Sequence, residues 1–267
     1  MKNILKEKLS KGERTLGTWL SIGHPDIVEI ISQMELDWVL FDTEHGPINV
    51  ETIQRLLPSM NGTELTPLIR VAFNDATLIK QALDIGAHGV LVPWVNSKID
   101  AELAVKATKY PPDAIRGTGP RRASKYGADK NYLKDANKEI MTITQVETIE
   151  SVNNLKEILK VKGVDAIFIG PADLAASMGH LGNPEHKEVE NVIKEVLEVS
   201  KKENKPVGIM ERSINNQDLC EKVKKRINEG FQIVTVGSDY SMIRNAYLEG
   251  LGRIKKIKQW KEDSYYG

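Results

Sequence analysis

The sequence predicts a single (β/α)8 barrel, a TIM barrel of the α/β class. Three observations carry that reading. Short apolar runs recur eight times, amphipathic stretches separate most of them, and chemically active side chains collect at one end of the runs. An open doubly wound sheet usually carries a glycine-rich turn after its first strand, whereas "SIGHPD" has one glycine. At 267 residues the chain suits a closed barrel. No linker or low-complexity segment interrupts it, so one domain is expected over residues 1–267.

The first strand is "TLGTWLSI" (15–22), followed by "PDIVEIISQME", whose proline fits a first helical turn. "DWVLFD" (37–42) and "TPLIRVA" (66–72) are the second and third. "DATLIKQALDIG" then starts on a capping Asp75 and stops at Gly86. "GVLVPWV" (89–95) precedes "SKIDAELAVKATKY", with apolar residues at three- and four-residue spacing. "IMTITQVET" (140–148), "DAIFIGP" (165–171), "KPVGIM" (205–210) and "FQIVTVGS" (231–238) complete the set. "EVENVIKEVLEVSKKE" is the helix between the sixth and seventh strands. Short, β-branched apolar runs of this kind suit buried parallel strands. Residues 110–139 are too long for a routine link. Arg116, Arg121, Arg122 and Lys125 make this segment basic. It reads either as a surface excursion or subunit contact, or as a loop that binds an acidic substrate group.

Lys+Arg and Asp+Glu are equal at 37 each, which argues against nucleic acid or an anionic membrane as the main partner. A small-molecule substrate is expected instead. Cys220 is the only cysteine, so an internal disulfide is impossible and a reducing compartment is the default. In the helical pattern "NNQDLCEKVKKRI" it reads as a packing residue. The first residues hold no apolar stretch fit for a signal peptide, and no run approaches the ~18 apolar residues of a membrane span. A cytoplasmic protein is expected.

Barrel enzymes place their catalytic groups at the carboxyl ends of the strands. Here the second strand ends in Asp42, Glu44 and His45, the third carries Arg70, the fifth ends in Gln145 and Glu147, and the sixth runs into Asp173. A buried guanidinium needs anions. Arg70 therefore reads as a structural partner of Asp42 or as a clamp on a substrate anion or enolate. Glu147 and Asp173, 26 residues apart, fall one strand–helix–strand step from each other. Like charges so placed repel unless they share a proton or a cation, and a hard ion such as Mg²⁺ suits them. Each is also acceptable as a helix cap. Asp42, three residues before His45, is expected to fix the imidazole tautomer and raise its basicity. "TQVET" and "FIGPADL" contain no lysine, which disfavours imine chemistry.

These residues sit in "GTWLSI", "DWVLFDTEHGP", "PLIRV", "IKQALDIGAHGVLVPWV", "ATKYPPDAIRG", "QVET", "GVDAIFIGPADLAASMG" and "VGSD". In that order the segments resemble the HpcH/HpaI aldolase family, the metal-dependent class II pyruvate aldolases. The resemblance implies a phosphoenolpyruvate/pyruvate-type barrel assembled as a homo-oligomer, a hexamer with a swapped helix between paired subunits. It makes Glu147 and Asp173 the ligands of a divalent metal, Mg²⁺ first, with Mn²⁺ or Co²⁺ as alternatives. Gln145, the backbone of Ala172 and Asp173, Arg70 and Trp19 become substrate contacts. His45 becomes the general base and Arg70 the enolate stabiliser. Asp84 becomes an acid lent by a neighbouring subunit to raise the basicity of the histidine. "GTGPRRASKYG" and "MERSINNQ" depart from the family pattern and are expected to border the aldehyde. The expected reaction is reversible cleavage of a 4-hydroxy-2-oxo acid to pyruvate and an aldehyde. The alternatives are oxaloacetate decarboxylation, an acyl-CoA lyase, and a non-catalytic metabolite-binding barrel.

Overall fold

The computed structural model describes residues 2–255. A short α1 (Ile4–Ser10) comes first. The chain then runs through β1 (Thr15–Leu20), α2 (Pro25–Ser32), β2 (Trp38–Asp42), α3 (Val50–Leu56), β3 (Thr66–Arg70), α4 (Ala76–Asp84), β4 (Gly89–Val92) and α5 (Lys98–Thr108). The second half holds α6 (Tyr132–Glu139), β5 (Met141–Val146), α7 (Ile149–Asn153), α8 (Leu155–Leu159), β6 (Ala166–Ile169) and α9 (Pro171–Ser177). It finishes with α10 (Lys187–Lys202), β7 (Val207–Ile209), α11 (Asn216–Glu229), β8 (Ile233–Ser238) and α12 (Asp239–Lys255). All eight predicted strands form. They pair in parallel and in sequence order, and β1 closes the barrel on β8. No helix among the described residues is long and apolar enough to cross a membrane.

Alternation along the strands divides two cores. One set of side chains, among them Val39, Phe41, Ile69 and Val90, packs outward under the helices. The other set fills the barrel around Trp19, Trp38 and Phe168. Rings this large fit because neighbouring strands offer no side chain. A Cβ on Gly17 would stand 2.1 Å from the Trp38 ring, and one on Gly208 would stand 2.3 Å from Phe168. The amino-terminal end is plugged by α1, which the sequence reading did not anticipate. Leu5 and Leu9 are buried in the interior cluster, and Lys8 and Lys6 bind Asp37 and Asp165 at 2.6 and 2.9 Å.

Two expectations need correction. The fourth strand stops at Val92, because Pro93 cannot continue a ladder and Trp94 takes a positive φ of 55°. The basic segment 110–139 lies at the amino-terminal end, not at the mouth. It leaves the far end of α5, and a helix that follows a strand returns the chain to where strands begin. Lys109 Nζ donates to the Ile140 carbonyl just ahead of β5 at 2.7 Å. Arg116 pairs with Asp84 at the end of α4 at 2.6 Å, with its guanidinium 4.4 Å from the Tyr110 ring centre. Arg122 donates to the Ile85 carbonyl at 3.4 Å. The loop therefore does not border this chain's own barrel mouth, and Arg116 is a buried structural residue.

Candidate active site

Register builds the site. β2 and β3 align Asp42 with Arg70, and the guanidinium meets that carboxylate with a two-pronged fork, Nε to Oδ1 at 2.9 Å and Nη2 to Oδ2 at 2.7 Å. Nη1 of Arg70 forms an ion pair with Glu44 at 2.8 Å. Beneath the guanidinium lies Trp19, its ring centre 5.3 Å away. Trp19 is only 2% exposed, so it props Arg70 from below and is not open to the mouth as a direct substrate contact would be.

Asp42 does not orient the imidazole. Its Oδ1 accepts from the backbone N–H groups of Glu44 and His45 at 3.1 and 3.3 Å, and both oxygens are engaged by Arg70. A carboxylate so committed shapes the turn rather than the ring. Burial works against its charge, yet the Arg70 hydrogen bonds and charge hold the Asp42 carboxyl below the usual range. Gly46 is required in that turn, since a Cβ there would meet the Asp42 carbonyl oxygen at 2.3 Å. His45 stands exposed at the rim. Burial, with the nearby Asp42 and Asp173, keeps the neighbouring Glu44 carboxyl raised, although Arg70 opposes the shift.

Across the mouth, Gln145 and Glu147 are buried at the end of β5. The Gln145 amide donates to Glu147 Oε2, and the Trp94 backbone N–H donates to Oε1 at 2.8 Å. Burial, with help from Glu44 and Asp173, pushes the Glu147 carboxyl up to about 7, although the Trp94 N–H and Arg70 oppose it. Asp173 is exposed in the first turn of α9. That turn leaves the Ala172 and Asp173 N–H groups without intrahelical acceptors. Gly170, just before α9, is a cradle: a Cβ there would lie 3.0 Å from the Gln145 amide nitrogen and 3.3 Å from Glu147. The buried Gln145 Oε1 has no hydrogen-bond partner.

Glu44 and Asp173 thus add to the raised proton affinity of the buried Glu147, around an arginine whose charge Asp42 already offsets. An all-oxygen donor set with an orphaned amide oxygen beside it fits a hard divalent cation. Asp84 is not in this constellation. It ends α4 at the opposite face, paired with Arg116, and burial raises its carboxyl while Arg116 opposes the shift. Lys109, whose amine burial lowers to about 8, lies at that same far end and supplies no imine-forming lysine to the mouth.

Two contributors escaped the sequence reading. Trp94 acts through its backbone N–H in a strained left-handed conformation, signalled only by "PW" at a strand end. Asp239, in "VGSD", accepts from the Ser21 and Ile22 N–H groups at 2.9 and 2.7 Å and ties β8 to the rim of β1.

A family model described as HpcH/HpaI aldolase/citrate lyase matches residues 15–246. A 4-hydroxy-2-oxo-heptane-1,7-dioate aldolase of Klebsiella pneumoniae is 39% identical over 245 residues, covering 91% of this chain and 90% of that one. The Escherichia coli protein of the same name is 38% identical over 248 residues, covering 92% of each. The crystal structure of an HpcH/HpaI aldolase/citrate lyase family protein from Burkholderia cenocepacia superposes with a TM-score of 0.90 at 32% identity, covering 95% of this chain and 100% of that one. The chain belongs to the HpcH/HpaI aldolase/citrate lyase family.

Proposed function

We propose that the chain is a carbon–carbon lyase that reversibly cleaves a 4-hydroxy-2-oxo acid to pyruvate and an aldehyde. The observation that carries this is the gathering of Glu147, Glu44 and Asp173 at one end of the barrel around Arg70, which the Asp42 fork and Glu44 hold in place. Glu147 and Asp173 would hold a divalent cation, Mg²⁺ by the hardness of their oxygens, with Mn²⁺ or Co²⁺ as substitutes. Bound there, the ion supplies Lewis-acid polarisation of the 2-oxo group.

The rest is the work of side chains. Gln145 and the Ala172 and Asp173 N–H groups hold the pyruvate carboxylate and keep it in register with the mouth. His45, with no imidazole hydrogen bond among the described residues, takes the 4-hydroxyl proton. The C3–C4 bond breaks, the aldehyde leaves, and the electron pair becomes a pyruvate enolate. Arg70 faces the charge that develops on the former keto oxygen; Asp42 and Trp19 hold the guanidinium so that little reorganisation is needed. The His45 imidazolium then returns its proton to C3. In an assembled hexamer, Asp84 of one subunit would approach His45 of the next, since its own face lies away from its own mouth.

The test is turnover of 4-hydroxy-2-oxo-heptane-1,7-dioate, the substrate in the relatives' names, and condensation of pyruvate with aldehydes that carry or lack a carboxylate. Activity is expected with Mg²⁺, to vanish with chelator and to return on adding the ion. Activity that survives full metal removal, or that borohydride abolishes in the presence of pyruvate, would overturn the mechanism. Metal-dependent exchange of pyruvate methyl protons in D₂O separates a lyase from a mere binder. The basic 116–125 loop, which lies beside Asp84 at the other end of the barrel, supplies no nucleotide groove for an acyl-CoA substrate at this chain's own mouth.

A further inference from the structure

Among the described residues one three-residue group brings imidazole and carboxylate donors together, and it lies outside the mouth. His180, His186 and Glu188 place a ligand atom each within 4.8 Å of one another. His180 sits just past α9, with its backbone N–H on the Ala175 carbonyl at 2.8 Å. His186 is the cap of α10, and its Nδ1 accepts from the Glu188 N–H at 3.3 Å. His180 Nε2 meets Glu188 Oε2 at 2.9 Å. The two rings lie face to face, 3.6 Å between centres and 19° from parallel.

Read as structure alone, His186 is a cap and His180–Glu188 is a staple. That leaves the stacking of the rings unexplained. The stack brings ring nitrogens from two separate segments beside one carboxylate oxygen. Two imidazole nitrogens and one carboxylate form a donor set of the zinc type, with a position left for water. The all-oxygen Glu147–Asp173 pair has the opposite preference.

We propose that His180, His186 and Glu188 form a second metal site, selective for a borderline ion such as Zn²⁺ over Mg²⁺. The ion would lie between His180 and Glu188 and replace the weak His186 cap bond. It would join the segment after α9 to the first turn of α10. The site stands whether or not the mouth holds a metal.

The probe is Zn²⁺ in equilibrium dialysis of the full chain with Mg²⁺ in excess. Glu147→Gln/Asp173→Asn should still retain a single equivalent. His180→Gln/His186→Asn, in which Asn preserves a capping oxygen, should bind it about 100-fold more weakly or worse. Circular dichroism confirms that this variant folds. If it does not, Cu²⁺ electron paramagnetic resonance of the unmodified chain decides, with coupling to two imidazole nitrogens expected. Loss of Zn²⁺ retention in the Glu147→Gln/Asp173→Asn variant, undiminished retention in the folded histidine variant, or a copper spectrum without nitrogen coupling would overturn the assignment.

Discussion

Arg70 is buried between two carboxylates, and its charge favours the ionised form of both. Asp42→Ala would take the two-pronged partner from a guanidinium that is 4% exposed and leave it Glu44 alone, with an expected loss of about 3 kcal/mol in denaturant unfolding. Arg70→Lys keeps the charge and loses the fork, so kcat should fall by about 100-fold with a much smaller change in stability. His45→Gln should lower kcat by roughly 100-fold or more while KM for pyruvate stays nearly constant. Glu147 makes a signed prediction. Its folded carboxyl sits near about 7 against an ordinary 4.5, so the folded state holds the extra proton. The Glu147 contribution to metal-free stability should therefore be fully present below about 4.5 and decline as pH rises towards about 7, with a limiting slope of ~1.4 kcal/mol per pH unit. Glu147→Gln should flatten that decline in thermal melts from pH 4 to 8. Arg70, Glu147 and Asp173 were legible because strand-end position follows from the pattern of apolar runs. The Arg70–Asp42 pair was legible too, as one of the two readings of Arg70. What failed is the orienting role given to Asp42: a three-residue spacing suggested the His45 ring, but the turn presents backbone N–H groups there and the register presents Arg70.

The strands succeed as elements because large and small residues alternate across them. Gly208→Ala would drive a Cβ into Phe168 at 2.3 Å, and a loss of about 1–3 kcal/mol is expected in chemical denaturation. Boundaries were harder to read than existence. β4 is shorter than its apolar run because Trp94 turns away to present a backbone N–H. α1 is seven residues with little periodicity to reveal it, and only the packing of Leu5 and Leu9 shows its purpose. The end of the barrel on which 110–139 lies was in principle readable. A segment between a helix and the next strand belongs at the amino-terminal end, and its basic charge drew attention from that polarity.

The molecule as a whole has two unlike ends. The carboxyl-terminal end carries the carboxylates, Arg70 and His45; the amino-terminal end carries Asp84–Arg116 and the basic loop. If Asp84 serves a neighbour, neither His45→Ala nor Asp84→Ala alone should be active, yet co-refolded mixtures should regain up to about a quarter of the activity through subunits in which both wild-type residues meet. Recovery absent at every mixing ratio would place Asp84 outside the chemistry. The closed barrel was legible from eight repeats of one pattern, whereas contacts between copies leave no periodicity in a single sequence.

The plug at the amino-terminal end has a consequence for synthesis. Asn3 caps α1 locally by accepting from the Lys6 N–H at 3.0 Å, but its donors reach far: its backbone N–H bonds the Glu139 carboxylate at 2.8 Å, 136 residues onward, and its side-chain amide donates to the His88 and Glu139 carbonyls. Lys6 waits longer still for Asp165. At translation rates of roughly 5–20 residues per second, α1 spends on the order of ten seconds outside the ribosome before its partners exist. Its leucines are a ready target for chaperones during that interval, and a bulky fusion at this end would obstruct the last closure of the barrel rather than the first.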